Sequence, residues 1–341
     1  MLYKHTINNN TNYQIRAKNS PLLDTLAQLP TKTKLSPLTP LQKKARSKYF
    51  TQNIVTPLIY YAQYVAEDIQ LQKYFSNAWH CCNNLKQVGK NLVETHYCNT
   101  RVCNQCNRIR TAKLMNGYIT QLTGKKQYFV TLTIPNVLAD ELKNSISKMT
   151  KDCANIIRVI NERKKIKING IRKVEITYNE KTNTYHPHIH LLVDNVPELV
   201  VKEWLKRNPT AKPIAQDIRS ADSNSLNELF KYTTKIGISK TKAKNNSIDI
   251  QVQAIYTITK AMYKKRAFQP FGLIKKVSED IEDTDLKKEQ YPELKNYDCA
   301  FWTWQNNDWV CVSQYIVNNK GELIRELLTN YQPPPIIFNV T

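Results

Sequence analysis

Half of the chain's six histidines fall in one run, Tyr185-His186-Pro187-His188-Ile189-His190, which continues as Leu191-Leu192-Val193. Side chains alternate along a strand, so His188 and His190 point to one face and Ile189 to the other. Two imidazoles on one face of a sheet make half of a divalent-metal site, and His186 falls on the same face as a further candidate. The preceding segment, 173–178, carries Glu175 and is joined to the histidine run by a polar turn around 180–183. A four-residue loop pairs position 175 with 188, and a six-residue loop pairs it with 190. Either register sets the carboxylate beside the imidazoles, whereas an odd loop sets it opposite Ile189. A mixed nitrogen and oxygen site with open positions suits Mg²⁺ or Mn²⁺ bridged to a phosphate oxygen.

A second constellation lies at 223–235. Leu226, Leu229, Phe230 and Thr233 follow the spacing of a buried helix face. At about 100° per residue, Glu228, Tyr232 and Lys235 gather on the opposite side. A tyrosine oxygen attacking a phosphodiester gains from a nearby metal that neutralises phosphate charge, and a neighbouring lysine favours the phenolate.

The third is a cysteine cluster, Cys98-x4-Cys103-x2-Cys106, with Cys81 and Cys82 upstream. Two close groups of thiols separated by a loop suit tetrahedral Zn²⁺. Cys82, Cys98, Cys103 and Cys106 are the expected ligands, with Cys81, His80 and His96 as substitutes for one of them. Arg101, Arg108 and Arg110 interleave with the cluster and are expected to contact phosphate, as is Lys231 beside the tyrosine. Cys153, Cys299 and Cys311 stand alone.

These residues need a scaffold. Residues 1–40 are polar and broken by Pro21, Pro30, Pro37 and Pro40, which reads as an extended arm. Helical patterns cover 41–71, 111–122, 139–163, 198–207 and 223–235. Strand patterns cover 128–134, 173–178 and 186–193, the first of them β-branched and stopped by Pro135-Asn136. The order predicts an α+β fold, an antiparallel sheet with helices on one face. Four regions follow: an arm and helix (1–74), a cysteine-rich zinc module (75–110), the sheet domain (111–277), and an acidic linker with an aromatic tail (278–341).

The chain has 341 residues, and 50 Lys plus Arg against 28 Asp plus Glu give a net charge of +22, which points to a polyanion such as nucleic acid. The acidic exception, 279–298, holds eight acids against three lysines and reads as solvated linker. No apolar run is long enough to span a membrane, and the polar start after Met1 is unlike a secretory signal, so a cytoplasmic protein is expected. Neither common glycine-rich nucleotide loop is present, so unwinding of a duplex falls to another protein.

Taken in order, these motifs resemble the plasmid rolling-circle replication initiators of the HUH endonuclease superfamily, in the Rep_1 group. Phe129-Val130-Thr131-Leu132-Thr133-Ile134-Pro135-Asn136 is similar to that family's first motif, and His186-Pro187-His188-Ile189-His190 to the second. Glu228-x3-Tyr232-x2-Lys235 is similar to the third, with one nucleophilic tyrosine. Cys98 to Cys106 with Arg101, and Lys264-Lys265-Arg266 through Phe271-Gly272, resemble its cysteine-rich and basic segments. The resemblance spans about 75–276; the arm and the tail, with Trp302, Trp304 and Trp309, have no counterpart in it. It implies an HUH-type sheet and binding at the plasmid double-strand origin. It further implies attack by Tyr232 to give a 5′-phosphotyrosyl link and a free 3′-OH primer, and termination by water activated at Glu228. His188 and His190, with Glu175 as third ligand, would hold the metal; host helicase and DNA polymerase would be partners, with no membrane. Two other classes share parts of this pattern: an HUH single-strand transposase with a cysteine-rich module, and a non-catalytic zinc-dependent DNA-binding regulator.

Overall fold

Thr39 opens the first helix, α1 (Pro40–Tyr60), with a reciprocal cap: its hydroxyl accepts from Gln42 N, and the Gln42 side chain accepts from Thr39 N. This computed structural model describes residues 38–88, 92–122, 126–230, 247–281, 289–291, 301–312, 316–317, 323–324 and 327–333. All of them fall in one unit, Leu38–Pro335. A π-helical turn (Tyr61–Val65) leads to α2 (Ile69–His80), whose N-cap Asp68 accepts from Leu71 N. Then come β1 (Asn84–Gln87), β2 (Leu92–Thr95) and α3 (Asn104–Leu122).

The next stretch builds the larger layer: β3 (Tyr128–Thr133), α4 (Leu142–Arg158), β4 (Gly170–Asn179), β5 (Thr184–Val193), α5 (Pro197–Arg207), β6 (Asp217–Ser220), α6 (Ser223–Phe230), α7 (Ser247–Met262) and β7 (Phe268–Phe271). Its sheet is antiparallel throughout, in the order β6-β3-β5-β4-β7. The histidine strand is therefore central. Gly170 starts β4 where a β-carbon would overlap the Leu192 carbonyl and the Phe271 ring, so only glycine lets β4 seat between its neighbours.

One face of this sheet presents Val130, Leu132, Val174, Ile189, Leu191 and Val193 to α4, α5 and α7. Helix α4 meets it with Leu142, Ile146, Met149, Cys153 and Ile156, all buried at helical spacing. Each such side chain is worth about 1.5–3 kcal/mol of burial. The other face also carries helices, which corrects the expectation of helices on one face. There Phe129, Ile171 and Leu192 are covered by Leu114, Tyr118 and Leu122 of α3 and by Leu229 and Phe230 of α6. Both faces of this end of the sheet are apolar, so both need a cover.

The 278–341 stretch also departs from the expected linker and tail. After β8 (Glu289–Gln290), strands β9 (Phe301–Gln305) and β10 (Asp308–Cys311) join β1 and β2 in a second antiparallel sheet, β10-β9-β1-β2-β8. Leu85 pairs with Trp302, and Trp309 donates its indole N–H to the Cys82 carbonyl at 2.9 Å. Trp302 and Trp309 are buried in one core with α1, α2 and the cysteines. The tail's aromatic content thus completes the cysteine-rich module. A short pair, β11 (Ile316–Val317) and β12 (Leu323–Ile324), follows. Among the described residues no helix is long and apolar enough to cross a membrane.

Candidate metal centre and cysteine cluster

The β4–β5 hairpin closes through a four-residue loop: Asn179 pairs with Thr184, and the register runs back to Glu175 opposite His188 and Lys173 opposite His190. Strand β3 flanks the other side, with Thr131 opposite His190 and Thr133 opposite His188. This face changes character along the strands. Its Phe129–Ile171–Leu192 end lies under α3 and α6, and its other end is polar with Thr131, Thr133, Lys173, Glu175, His188 and His190.

Glu175, His188 and His190 offer three ligand atoms that lie within 4.8 Å of one another. Glu175 Oε2 is 3.4 Å from His190 Nε2 and 4.0 Å from His188 Nε2. The Lys173 ammonium sits 3.0 Å from the same oxygen. His188 Nδ1 lies 3.2 Å from the His186 carbonyl, which can only accept, so Nδ1 carries the proton and the neutral ring turns its Nε2 lone pair toward Glu175. His190 Nδ1 is fixed by the Thr131 hydroxyl at 3.2 Å. His186 instead bonds Asn136 at 2.9 Å and lies outside the group of three.

The electrostatics suit a cation. Burial pushes the Glu175 carboxyl up, but the His190 hydrogen bond and the Lys173 ammonium outweigh it and hold it at about 2. Burial, helped by repulsion from His190 and opposed by Glu175, brings His188 down to about 4. The group therefore presents one carboxylate and a neutral His188 near pH 7, the donor set of a divalent ion rather than of a proton store.

Helix α6 reaches the edge of this polar area. The Glu228 carbonyl accepts from Lys173 Nζ at 3.1 Å, while the Glu228 carboxylate pairs with Arg219 at 2.6 Å on the exposed side. Phe230, stacked between Tyr118 and Phe268, fixes the helix two residues before Tyr232. Lys231, Tyr232 and Lys235 lie outside the described residues.

In the cysteine module the four thiols within 4.8 Å of one another are Cys81, Cys98, Cys103 and Cys106. Cys81 to Cys106 is 3.7 Å and Cys98 to Cys106 is 3.6 Å. Metal–sulfur bonds of about 2.3 Å at tetrahedral angles set sulfurs about 3.8 Å apart, so the donors fit such a site. Cys81 thus takes the place expected for Cys82. The reason is local: Cys82 is in the left-handed region (φ 56°), its N–H is bonded to the His96 carbonyl, and its own carbonyl is capped by Trp309. The chain reverses there, and the Cys82 thiol, 3.8 Å from Cys81 Sγ, falls outside the group of four. His80 bonds Asn83, His96 is exposed, and neither belongs to the group.

The arginines separate into three kinds. Arg108 is exposed. Arg110 is buried, donating to the Glu279 and Asn99 carbonyls and to Asn107, which corrects its reading as a phosphate contact. Arg101 pairs with Glu279 at 3.2 Å and donates to the Lys265 carbonyl. It lines a cavity of about 350 Å³ that Glu175 also lines. Glu279 is thereby tied into the module rather than part of a solvated linker. Lys173 and Cys81 are the site residues that sequence reasoning passed over or ranked second. For Lys173 the signal was present, since a residue two before Glu175 on a strand shares its face.

An antiparallel sheet with a carboxylate and two imidazoles grouped on one face defines a candidate divalent-metal centre of the kind used on phosphate esters. The family model described as Replication protein (Rep_1) matches residues 89–309. A "Protein rep" of Staphylococcus aureus is 34% identical over 168 residues, covering 42% of this chain and 72% of that protein. A "Protein rep" of Streptococcus pneumoniae is 25% identical over 262 residues, covering 67% of this chain and 78% of that protein. One from a Bacillus species is 31% identical over 159 residues, covering 43% and 48%. No solved structure matches the chain significantly. The chain belongs to the Rep_1 family of replication proteins.

Proposed function

We propose that this chain initiates rolling-circle replication of a plasmid by nicking one strand at the double-strand origin, with Tyr232 as the nucleophile. The observation that supports this best is the grouping of Glu175, His188 and His190 on the sheet face that α6, the helix leading to Tyr232, packs against. Mg²⁺ or Mn²⁺ held by those three residues supplies charge neutralisation for the scissile phosphate when bound.

The chain's own residues do the rest. The Tyr232 phenolic oxygen bonds to phosphorus as the bond to the 3′ oxygen breaks. The phenol loses its proton, and the departing oxygen takes one up. The products are a 5′-phosphotyrosyl link and a free 3′-OH, which primes a host polymerase while a host helicase opens the duplex. Lys235 favours the phenolate, and Glu228, four residues before Tyr232, serves as general base on the water that ends the round. Zn²⁺ in the Cys81, Cys98, Cys103 and Cys106 site is structural. The basic surface, with Arg108 and Lys231, holds the DNA in the cytoplasm of the host.

The test is cleavage of supercoiled plasmid carrying the cognate origin with Mn²⁺, followed by denaturing electrophoresis. Wild type should yield nicked circles and a covalent protein–DNA adduct, and Tyr232→Phe neither. An adduct that survives Tyr232→Phe overturns the assignment, and tight origin binding without nicking by wild type replaces it with a DNA-binding regulator.

A further inference from the structure

Lys173 is a lysine where the fold has little room for one. Its side chain is 2% exposed, on the polar end of the histidine face, in register with His190 and two residues before Glu175. Burying an ammonium costs several kcal/mol unless it is well partnered. Two of its partners belong to different parts of the site: Glu175 Oε2 at 3.0 Å and the backbone carbonyl of Glu228 at 3.1 Å. One hydrogen-bonding group therefore links the carboxylate of the candidate metal centre to the last turn of α6, from which the chain runs to Tyr232.

The two links pull on one cation. Glu175 Oε2 is the oxygen nearest both imidazoles, so a divalent ion at this centre and the Lys173 ammonium draw on the same acceptor. Cation entry weakens the Lys173–Glu175 pair and leaves the Glu228 carbonyl as the stronger of the two named acceptors. A buried ammonium cannot turn to water to make up the difference. We propose that Lys173 is a positioning residue that couples occupation of the Glu175–His188–His190 centre to the placement of the α6 end. This inference rests on the reading of that centre as a metal site serving Tyr232, but its test does not need a cleavage event.

Coupling of this kind is reciprocal and has a signature that plain packing lacks. Mn²⁺ is titrated into the full-length wild-type protein and into Lys173→Met and Lys173→Gln. Affinity is followed by the electron paramagnetic resonance of free Mn²⁺, and amide hydrogen exchange is followed in peptides covering 223–230. In wild type, Mn²⁺ should slow exchange in these peptides by about 5-fold or more, the low end of linked-site coupling. Lys173→Met should bind Mn²⁺ about 5-fold or more tighter, having lost the competing ammonium, while exchange at 223–230 no longer responds to Mn²⁺. Lys173→Gln, which removes the charge but keeps a donor for the Glu228 carbonyl, should also bind Mn²⁺ more tightly and keep basal exchange near wild type. Unchanged or weaker Mn²⁺ binding in both variants, or an exchange response preserved in Lys173→Met, overturns the proposal. Should Lys173→Met fail to fold, the Lys173→Gln affinity and the wild-type exchange response at 223–230 decide it together, and absence of either overturns the proposal. If wild type binds Mn²⁺ with these linkages but forms no Tyr232 adduct, the coupling stands and the nicking assignment fails. If the adduct forms without the linkages, nicking stands and the coupling fails.

Discussion

Glu175 stands directly opposite His188 across the β4–β5 pair, and its Oε2 is 3.4 Å from His190 Nε2 on the same strand as His188. A strand carries its side chains in alternation, so this one pairing commits both imidazoles and the carboxylate to a single face. The consequence is a centre whose donors come from two adjacent strands of a covered sheet, which fixes their separation better than a loop does.

Removing the carboxylate's charge should therefore disable the centre without disturbing its frame. Glu175→Gln keeps an acceptor for the buried Lys173 but removes its countercharge, so it should cost less stability than Glu175→Ala, while Mn²⁺ affinity falls at least about 10-fold. Glu175→Ala should in addition destabilise the fold by roughly 3–5 kcal/mol, because it strands the Lys173 ammonium. Titration with Mn²⁺ and urea unfolding read the two effects separately, and undiminished Mn²⁺ binding in Glu175→Gln removes Glu175 from the ligand set.

Much of this centre was legible in the sequence because it depends on period-two alternation and on one short loop. An even loop around 180–183 set Glu175 opposite either His188 or His190, and the structure has the four-residue loop and the His188 register. What was not legible depends on distant partners. Strand β1 pairs with β9, more than two hundred residues away, and no local pattern at 301–311 announces that partner; only the tryptophans hinted at something to bury. Helix α7 buries Ala254 and Ala261 and packs Ile258 and Met262 beside them at helical spacing. Its start obscures that signal, because Ile248, Ile250 and Val252 alternate as a strand would. The choice between Cys81 and Cys82 depends on how the chain turns at that pair, where Cys82 takes a positive φ, and two identical neighbouring residues cannot reveal it.

That choice yields a sharp measurement. Cys81→Ser should drop the zinc content of purified protein from about one to near zero per chain and lower its unfolding temperature, since a closed thiolate site contributes directly to folding. Cys82→Ser should retain the metal. Elemental analysis of both variants settles it, and retention in Cys81→Ser with loss in Cys82→Ser would restore the assignment that sequence spacing favoured.

The C-terminal strands make a second stability claim. Trp309 is fully buried, set edge-on against Trp304 and bonded to the Cys82 carbonyl beside the cysteine site. Trp309→Ala should cost about 3–5 kcal/mol in urea unfolding. It should also speed zinc release to a chelator, because it uncovers the turn that aims Cys81. A variant as stable as wild type would mean that β9 and β10 decorate the module rather than complete it.

The arginines test how the net charge of +22 is used. Arg108 is exposed, so Arg108→Ala should weaken binding to any duplex alike and reduce the slope of log affinity against log salt by about 1, leaving unfolding unchanged. Arg110 is buried and holds the fold instead, its guanidinium closing the Asn99 loop onto Glu279 and Asn107. Arg110→Ala removes these hydrogen bonds from a charged donor, at about 1.5–3 kcal/mol for each. It should therefore lower the urea midpoint while the salt slope of the folded fraction stays that of wild type. Filter-binding titrations across a salt series, run beside urea unfolding, separate the two residues. A salt slope that falls in Arg110→Ala with no loss of stability would return Arg110 to the DNA interface.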